Sequence, residues 1–384
     1  MPARRRRLAI VTLVLFAAYA TVSRAQDAAA RAKDAYARAI ELESRGNSPA
    51  ALSLLWEAAG LAPRDPDIQN RLGEALDRMG ALDAAVDAYR QAVSERPDFR
   101  KAVNNLVLTL VKSGKGPEAV ERARVFLAQA PDDADRHFTL GLAQSEQDIG
   151  QAIASFRRAL EIDPRHSLAR YNLALVLKRA DRMPEAVATL QRAIEIEPRA
   201  EAYYTLGVIY WQQGDLDRAA SALAAAVAAK PEYADAHYTL GAVLAARRDW
   251  AGAAASLRRA LALRPDLPGV HDTLARVLQR SGDEAGSKAQ FSEAERLRRR
   301  AQLEQEASVL TALGTQKLET GDLTGALDQF RRATAALEAY APAHYQMGRA
   351  LERLGQTAAS RAAFARAAEL NPNLVSPRDT PSPK

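Results

Sequence analysis

Cysteine is absent from all 384 positions, which excludes disulfides, thiolate nucleophiles, thiolate metal sites and a lipid-bearing N-terminal cysteine. The apolar run from Leu8 to Ala20, extended to Val22 at most, falls short of the roughly 20 residues that span a bilayer as a helix. No glycine-rich phosphate loop, His-Glu-x-x-His helix or nucleophile elbow occurs, so the usual signatures of nucleotide, zinc-protease and hydrolase chemistry are missing. Ile, Val and Thr are scarce beyond the first stretch, whereas Ala, Leu, Arg and Glu abound. That balance suits many short helices better than sheets.

What is present begins with a basic run, Arg4 to Arg7, set directly before the apolar stretch and followed by the small-residue motif at Ser23, Arg24 and Ala25. This order is that of a secretory signal peptide covering residues 1–25, with cleavage expected after Ala25 and the mature protein periplasmic or secreted. The alternative is an uncleaved inner-membrane anchor formed by residues 8–22. Taking Arg4, Arg5, Arg6, Arg7 and Arg24 from the 53 basic residues leaves 48 against 47 acidic ones. The mature chain is then near neutral and gives no reason to expect nucleic acid as a partner.

A ladder of prolines dominates the rest: Pro63, Pro97, Pro131, Pro164, Pro198, Pro231 and Pro265, at spacings of 34, 34, 33, 34, 33 and 34. A fixed period of this length marks stacked supersecondary units, each needing its neighbours to cover an apolar face. Units begin near residues 32, 66, 100, 134, 167, 200, 234, 268, 307 and 341, and each holds two helical segments parted by a turn that often carries glycine. Counting from the first residue of a unit, position 7 is Leu in most, from Leu72 to Leu313, with Arg38 departing. Position 8 is small except at Val107, and position 20 is small throughout. Position 24 is large, among them Leu55, Tyr89, Phe156, Leu190, Leu223, Leu257, Phe291, Phe330 and Phe364, and position 27 is Ala except at Phe126. Large facing small at a fixed interval is how antiparallel helices interlock. Proline then ends each second helix because it cannot extend the hydrogen-bond ladder.

Residue by residue, as in ADAHYTLGAVLAARRDWAGAAASLRRALALRP from Ala234 to Pro265, this pattern resembles the tetratricopeptide repeat family. The resemblance implies an all-α fold, an α-solenoid of about ten helix-turn-helix units forming a right-handed superhelix. A main solenoid is expected over 26–300, with units near 32–65, 66–99, 100–133, 134–166, 167–199, 200–233, 234–267 and 268–301. A terminal pair follows over 302–374, with units 307–340 and 341–374, and then a disordered tail over 375–384. Between the eighth and ninth units Arg299 replaces the terminal proline and extra residues intervene. One helix is expected to run through this junction.

With the repeats assigned, no segment is long enough for a catalytic domain, so the chain is expected to be no enzyme and to need no cofactor. His137, His237, His271 and His344 all occupy position 4. Equivalent positions of neighbouring units lie on the order of 10 Å apart, too far to share a zinc ion whose ligands reach it within about 2.1 Å. No metal site is expected, and these histidines are read as packing residues. His166 is expected to face solvent. The basic cluster Arg296, Arg298, Arg299 and Arg300 lies near Glu293, Glu295, Glu304 and Glu306 and reads as a solvated helix face or an acidic docking patch.

Along each first helix, positions 5, 9 and 12 form a stripe about 100° from the packing stripe at 4, 8 and 11. The resemblance implies that this stripe lines a concave face holding peptide segments. In units four to seven it carries Phe138, Leu142, Tyr171, Leu175, Tyr204, Val208, Trp211 and Tyr238, an apolar track of the kind that marks an interaction surface. The chain therefore reads as an exported scaffold or adaptor for proteins or peptides of the cell envelope. Alternatives are a non-catalytic recruiting or regulatory subunit of an envelope enzyme complex, or a self-assembling structural protein. The membrane is reached only through an uncleaved signal segment. The lysine companions of a two-carboxylate clamp are missing beside Asn104 and Asn105, which disfavours a receptor for acidic chaperone tails.

Overall fold

The computed structural model describes residues 26–371 and 374; the expected signal segment and the tail lie outside the described residues. Among the described residues every regular element is a helix. The first helix, α1, covers 26–44. It is followed by α2 (Ser48–Leu61), α3 (Pro66–Arg78), α4 (Leu82–Glu95), α5 (Arg100–Lys112), α6 (Gly116–Ala128), α7 (Ala134–Gln144), α8 (Ile149–Ile162), α9 (Ser167–Arg179) and α10 (Met183–Ile196). Then come α11 (Ala200–Gln212), α12 (Leu216–Ala229), α13 (Ala234–Ala246), α14 (Trp250–Leu263), α15 (Pro268–Ser281), α16 (Glu284–Glu319), α17 (Leu323–Ala336), α18 (Ala341–Arg353) and α19 (Thr357–Leu370).

Local chemistry sets these boundaries. Asp65, Asp148, Asp215, Asp249, Asp283 and Asp322 each accept a backbone N–H of the helix that follows, which satisfies donors no helical carbonyl can reach. Within hairpins the turn needs a left-handed residue, supplied by Gly80 (φ 77) and Gly114 (φ 74) among others. In units five and seven that residue is Asp181 (φ 58) and Arg248 (φ 64), where a Cβ crowds the backbone. Arg248→Gly is therefore expected to raise stability by about 0.5–1 kcal/mol, since relief of the strain outweighs the added freedom of the unfolded chain. A thermal melt that falls instead would show that the arginine side chain contributes more than its backbone costs.

The helices group into two compact units, one through Ala202 and one from Tyr203. In the first, α3 packs on α4, α4 on α5, α5 on α6, α6 on α7, α7 on α8 and α8 on α9; in the second, α12 to α15 continue the same order. This is an α-solenoid: each helix touches its own partner and the adjacent hairpin.

A size rule operates inside each hairpin, between position 8 of the first helix and position 24 of the second. A Cβ added at Gly73 would stand 2.6 Å from Tyr89, at Gly141 2.6 Å from Phe156, at Gly241 2.6 Å from Leu257 and at Gly314 2.5 Å from Phe330. Those rings and branches therefore sit where a side chain would have been. Ala39 accepts the smaller Leu55, Ala174 accepts Leu190, and unit three inverts the pair with Val107 on Ala123, all fully buried. In most units a large residue at position 24 thus fills the space left by a small one at position 8, and unit three reverses the order.

The helix α16 runs unbroken for 36 residues, because neither proline nor a left-handed residue stops it. Its first half packs on α15 as the second helix of unit eight, and its second half packs on α17 and α18 as the first helix of unit nine. No helix among the described residues is long and apolar enough to cross a membrane.

Candidate functional site

The stripe at positions 5, 9 and 12 changes chemistry along the chain. On α3 it is polar, with Asn70, Glu74 and Asp77, whereas on α5 Asn104 is followed by Leu108, 38% exposed, and Val111. Asn70 donates to Glu74 Oε1 (2.9 Å), Arg71 Nη1 to Glu74 Oε2 (3.0 Å), and Asn105 to both Asn70 Oδ1 (3.1 Å) and Glu74 Oε1 (3.2 Å). Lys101 Nζ lies 2.7 Å from Glu74, and Arg71 and Arg78 both donate to Glu43 of α1. Burial alone would raise the Glu74 carboxyl, but hydrogen bonds from Lys101 and Asn70 and the ammonium charge outweigh it and hold the group below its ordinary value.

A folded-state value below the ordinary 4.5 means that ionised Glu74 adds stability above that pH. The contribution fades as acid takes the pH down through the folded value. The stability gap between the wild type and Glu74→Gln is accordingly expected to be full at neutral pH and to close in acid. Urea titrations at both extremes check this; a gap independent of pH would show the network to be indifferent to the carboxylate charge.

On α7 the stripe carries Phe138 and Leu142, and there the structure corrects the expectation of an open track. Phe138 and Leu142 are buried. The Phe138 ring lies between Phe156 (centroids 6.0 Å apart) and His166 (5.1 Å). His166 is likewise not a solvent-facing residue: its Nδ1 accepts Ala169 N–H at 3.2 Å, and its Nε2 lies 3.1 Å from Asp135. It closes the first turn of α9 and roofs Phe138 at once. On α9, Tyr171 and Leu175 are half-buried and keep part of their surface open.

In the second compact unit, Tyr204, Val208 and Tyr238 are half-buried, and Trp211 is 39% exposed. Tyr204 stacks on Tyr233 at 5.1 Å between centroids, and Tyr238 rests on the core formed by α14 and α15. In both compact units the ring at position 5 meets the residue just ahead of the next first helix, His166 or Tyr233. Sequence reasoning missed this partnership. The signal was available, since Phe99, His166, Tyr233 and Tyr340 all hold that junction place.

The position-4 histidines prove to be junction clamps. Nε2 of His137, His237, His271 and His344 bonds the carbonyl of Pro131 (2.8 Å), Pro231 (3.0 Å), Pro265 (3.0 Å) and Glu338 (2.8 Å). Gln69 does the same to Pro63 at 3.0 Å, and Arg170 to Pro164. A donor at this place satisfies a carbonyl of the turn that joins one hairpin to the next. Among the described residues no cluster of His, Asp and Glu could hold a metal ion.

One further concavity, of about 450 Å³, lies between α4, α5 and α6 and is lined by Val93, Val103, Leu106, Val125 and Phe126 with Arg90 and Arg122. It accompanies the exchange of sizes in unit three, where Ala123 and Phe126 hold the places that elsewhere carry a large residue and an alanine.

Paired helices that stack on their neighbours and keep a side-chain stripe partly open define a repeat scaffold for protein interaction. The chain belongs to the tetratricopeptide repeat family. Family models so described match residues 36–98 and 204–268, 143–207, and 341–374. Among curated proteins it is similar to the human protein O-mannosyl-transferase TMTC3, 32% identical over 126 residues, or 32% of this chain and 14% of that protein. It is also similar to cellulose synthase operon protein C of Pseudomonas fluorescens (strain SBW25), 28% identical over 149 residues, or 36% of this chain and 12% of that protein. The chain thus spans only about an eighth of the length of these relatives. Among solved structures, a tetratricopeptide repeat protein from Parabacteroides merdae matches 65% of this chain and 99% of its own, with 18% identity and a TM-score of 0.47. A thermophilic one from Thermus thermophilus matches 47% of this chain and 99% of its own, with 24% identity and a TM-score of 0.42.

Proposed function

We propose that this protein is an exported, non-catalytic adaptor, periplasmic or secreted after cleavage at Ala25, that holds apolar segments of envelope proteins on its first-helix faces. The observation carrying this reading is the set of side chains left partly open on the 5, 9, 12 stripe: Tyr171 and Leu175 in one compact unit, and Tyr204, Val208, Trp211 and Tyr238 in the other. Large rings held in place by neighbours bind at small entropic cost, because their rotamers are already set. Phe138 and Leu142 support the face from beneath.

The second reading makes the chain a recruiting subunit of an envelope glycan-polymer complex whose catalysis resides on another chain. The similarity to a protein named for a cellulose synthase operon favours it. The two readings share one test, in which residues 26–384 are immobilised and exposed to envelope extract and the retained proteins are identified. Polymer-synthesis subunits among them would select the second reading, and other envelope proteins the first. Retention of nothing, or turnover by the isolated chain, would overturn both.

A further inference from the structure

We infer that α16 is the seam of a two-fold symmetric dimer, in which the long helices of two copies of this chain pack antiparallel. The argument starts from what positions 3 and 7 do elsewhere. In a regular unit they meet the second helix of the preceding unit and are apolar and buried, as with Ile68 and Leu72, Ala102 and Leu106, or Val270 and Leu274. In unit one, the first described, they are Asp34 and Arg38, exposed and paired with each other at 3.5 Å. Charge is thus how this chain finishes such a face toward water.

Unit nine has no second helix in front of it, because α16 passes straight through from unit eight. Its positions 3 and 7 nevertheless remain Val309 and Leu313, 54% and 46% exposed. They have the character of a covered face and no cover among the described residues.

The complementary defect lies on the same helix. Unit eight alone sets an aromatic at position 24, Phe291, against Ala275 instead of glycine, and the ring stands out 39% exposed where its counterparts are buried. Phe291 and Val309 are about five helical turns apart, so they share one face some 27 Å along. That face runs Phe291, Glu295, Arg298, Gln302, Glu306, Val309 and Leu313, spaced symmetrically about Gln302. Antiparallel pairing with a second copy sets Phe291 opposite Leu313 at both ends, the Glu295 stem alongside Val309, and Gln302 opposite itself.

Charge agrees with this register. Glu306 comes beside Arg298 and Arg299 of the other copy. Arg298 already bonds Asp272 of its own chain at 2.5 Å, whereas neither Arg299 nor Glu306 has an ion-pair partner among the described residues. An isologous interface repeats each such pair twice. The apolar ends give the two copies contact area, and the reciprocal charges fix register and polarity.

Sedimentation equilibrium of residues 26–384 is the test. The wild type is expected to show a monomer–dimer equilibrium. Leu313→Glu should raise its dissociation constant by roughly thirtyfold or more with no loss of helical circular dichroism, since the side chain is exposed. Glu306→Arg should weaken the dimer, and adding Arg299→Glu should restore it. Because the chain has no cysteine, Gln302→Cys should be joined into dimers by a short bismaleimide, while Arg300→Cys, on the opposite side of the helix, should not. A wild type that is monomeric up to its solubility limit, or equal cross-linking from both cysteines, would overturn the inference. The Tyr204→Ala, Trp211→Ala variant should dimerise normally, which separates failure here from failure of the adaptor reading.

Discussion

Replacing Trp211 and Tyr204 by alanine together is expected to weaken capture of a partner segment by about a thousandfold while leaving the helices intact. Truncation of a central aromatic anchor commonly costs about 2 kcal/mol or more, and each 1.4 kcal/mol is a factor of ten. The fold should tolerate the change for a reason visible in the side chains. Trp211 is 39% exposed, so its removal leaves no cavity. Tyr204 gives up its stack on Tyr233, worth about 1 kcal/mol. Titration of a retained envelope protein against both variants, beside thermal melts, reads the two effects separately. Undiminished capture would move the binding face elsewhere, and collapse of the melt would return both rings to the core.

The second large effect concerns the pair at positions 8 and 24. Phe156→Ala should destabilise the first compact unit by about 3–5 kcal/mol through the cavity it leaves. Gly141→Val should cost about 1–3 kcal/mol by overpacking, because even a Cβ there would stand 2.6 Å from the ring. Made together, the two changes bring in the Val107 and Ala123 pair of unit three, which is fully buried in the native chain, on a unit that keeps Ala159 where unit three has Phe126. The double variant is therefore expected to recover about 1–3 kcal/mol relative to the sum of the singles. Denaturant melts of the four proteins of this cycle settle the matter. Strict additivity would mean that the two helices do not adjust to each other's volumes.

Much of this architecture was legible before any coordinate. The proline ladder and the small residues at positions 8 and 20 identify paired helices, because a repeat must reuse the same contacts. The missing proline at Arg299 marks where the repeat departs from itself. The candidate face was only partly legible. Position 5 carries an aromatic or a polar residue in different units, and a stripe rule treats Phe138 and Tyr171 alike. What buries Phe138 is the junction residue ahead of the next helix, His166, whose imidazole covers its ring. The charged network around Glu74 was equally hidden, since its members come from α1, α3 and α5 and no single segment contains it.

By itself, then, the sequence determined the helix pairs, their order and the sizes that meet inside each hairpin, because those contacts are local and recur at a constant spacing. Which apolar side chains stay open was decided only in the folded molecule. Exposure depends on whether a neighbouring hairpin arrives to cover a face, and at α16 none among the described residues does, leaving Val309 and Leu313 about half exposed although their places in the repeat are those of buried residues.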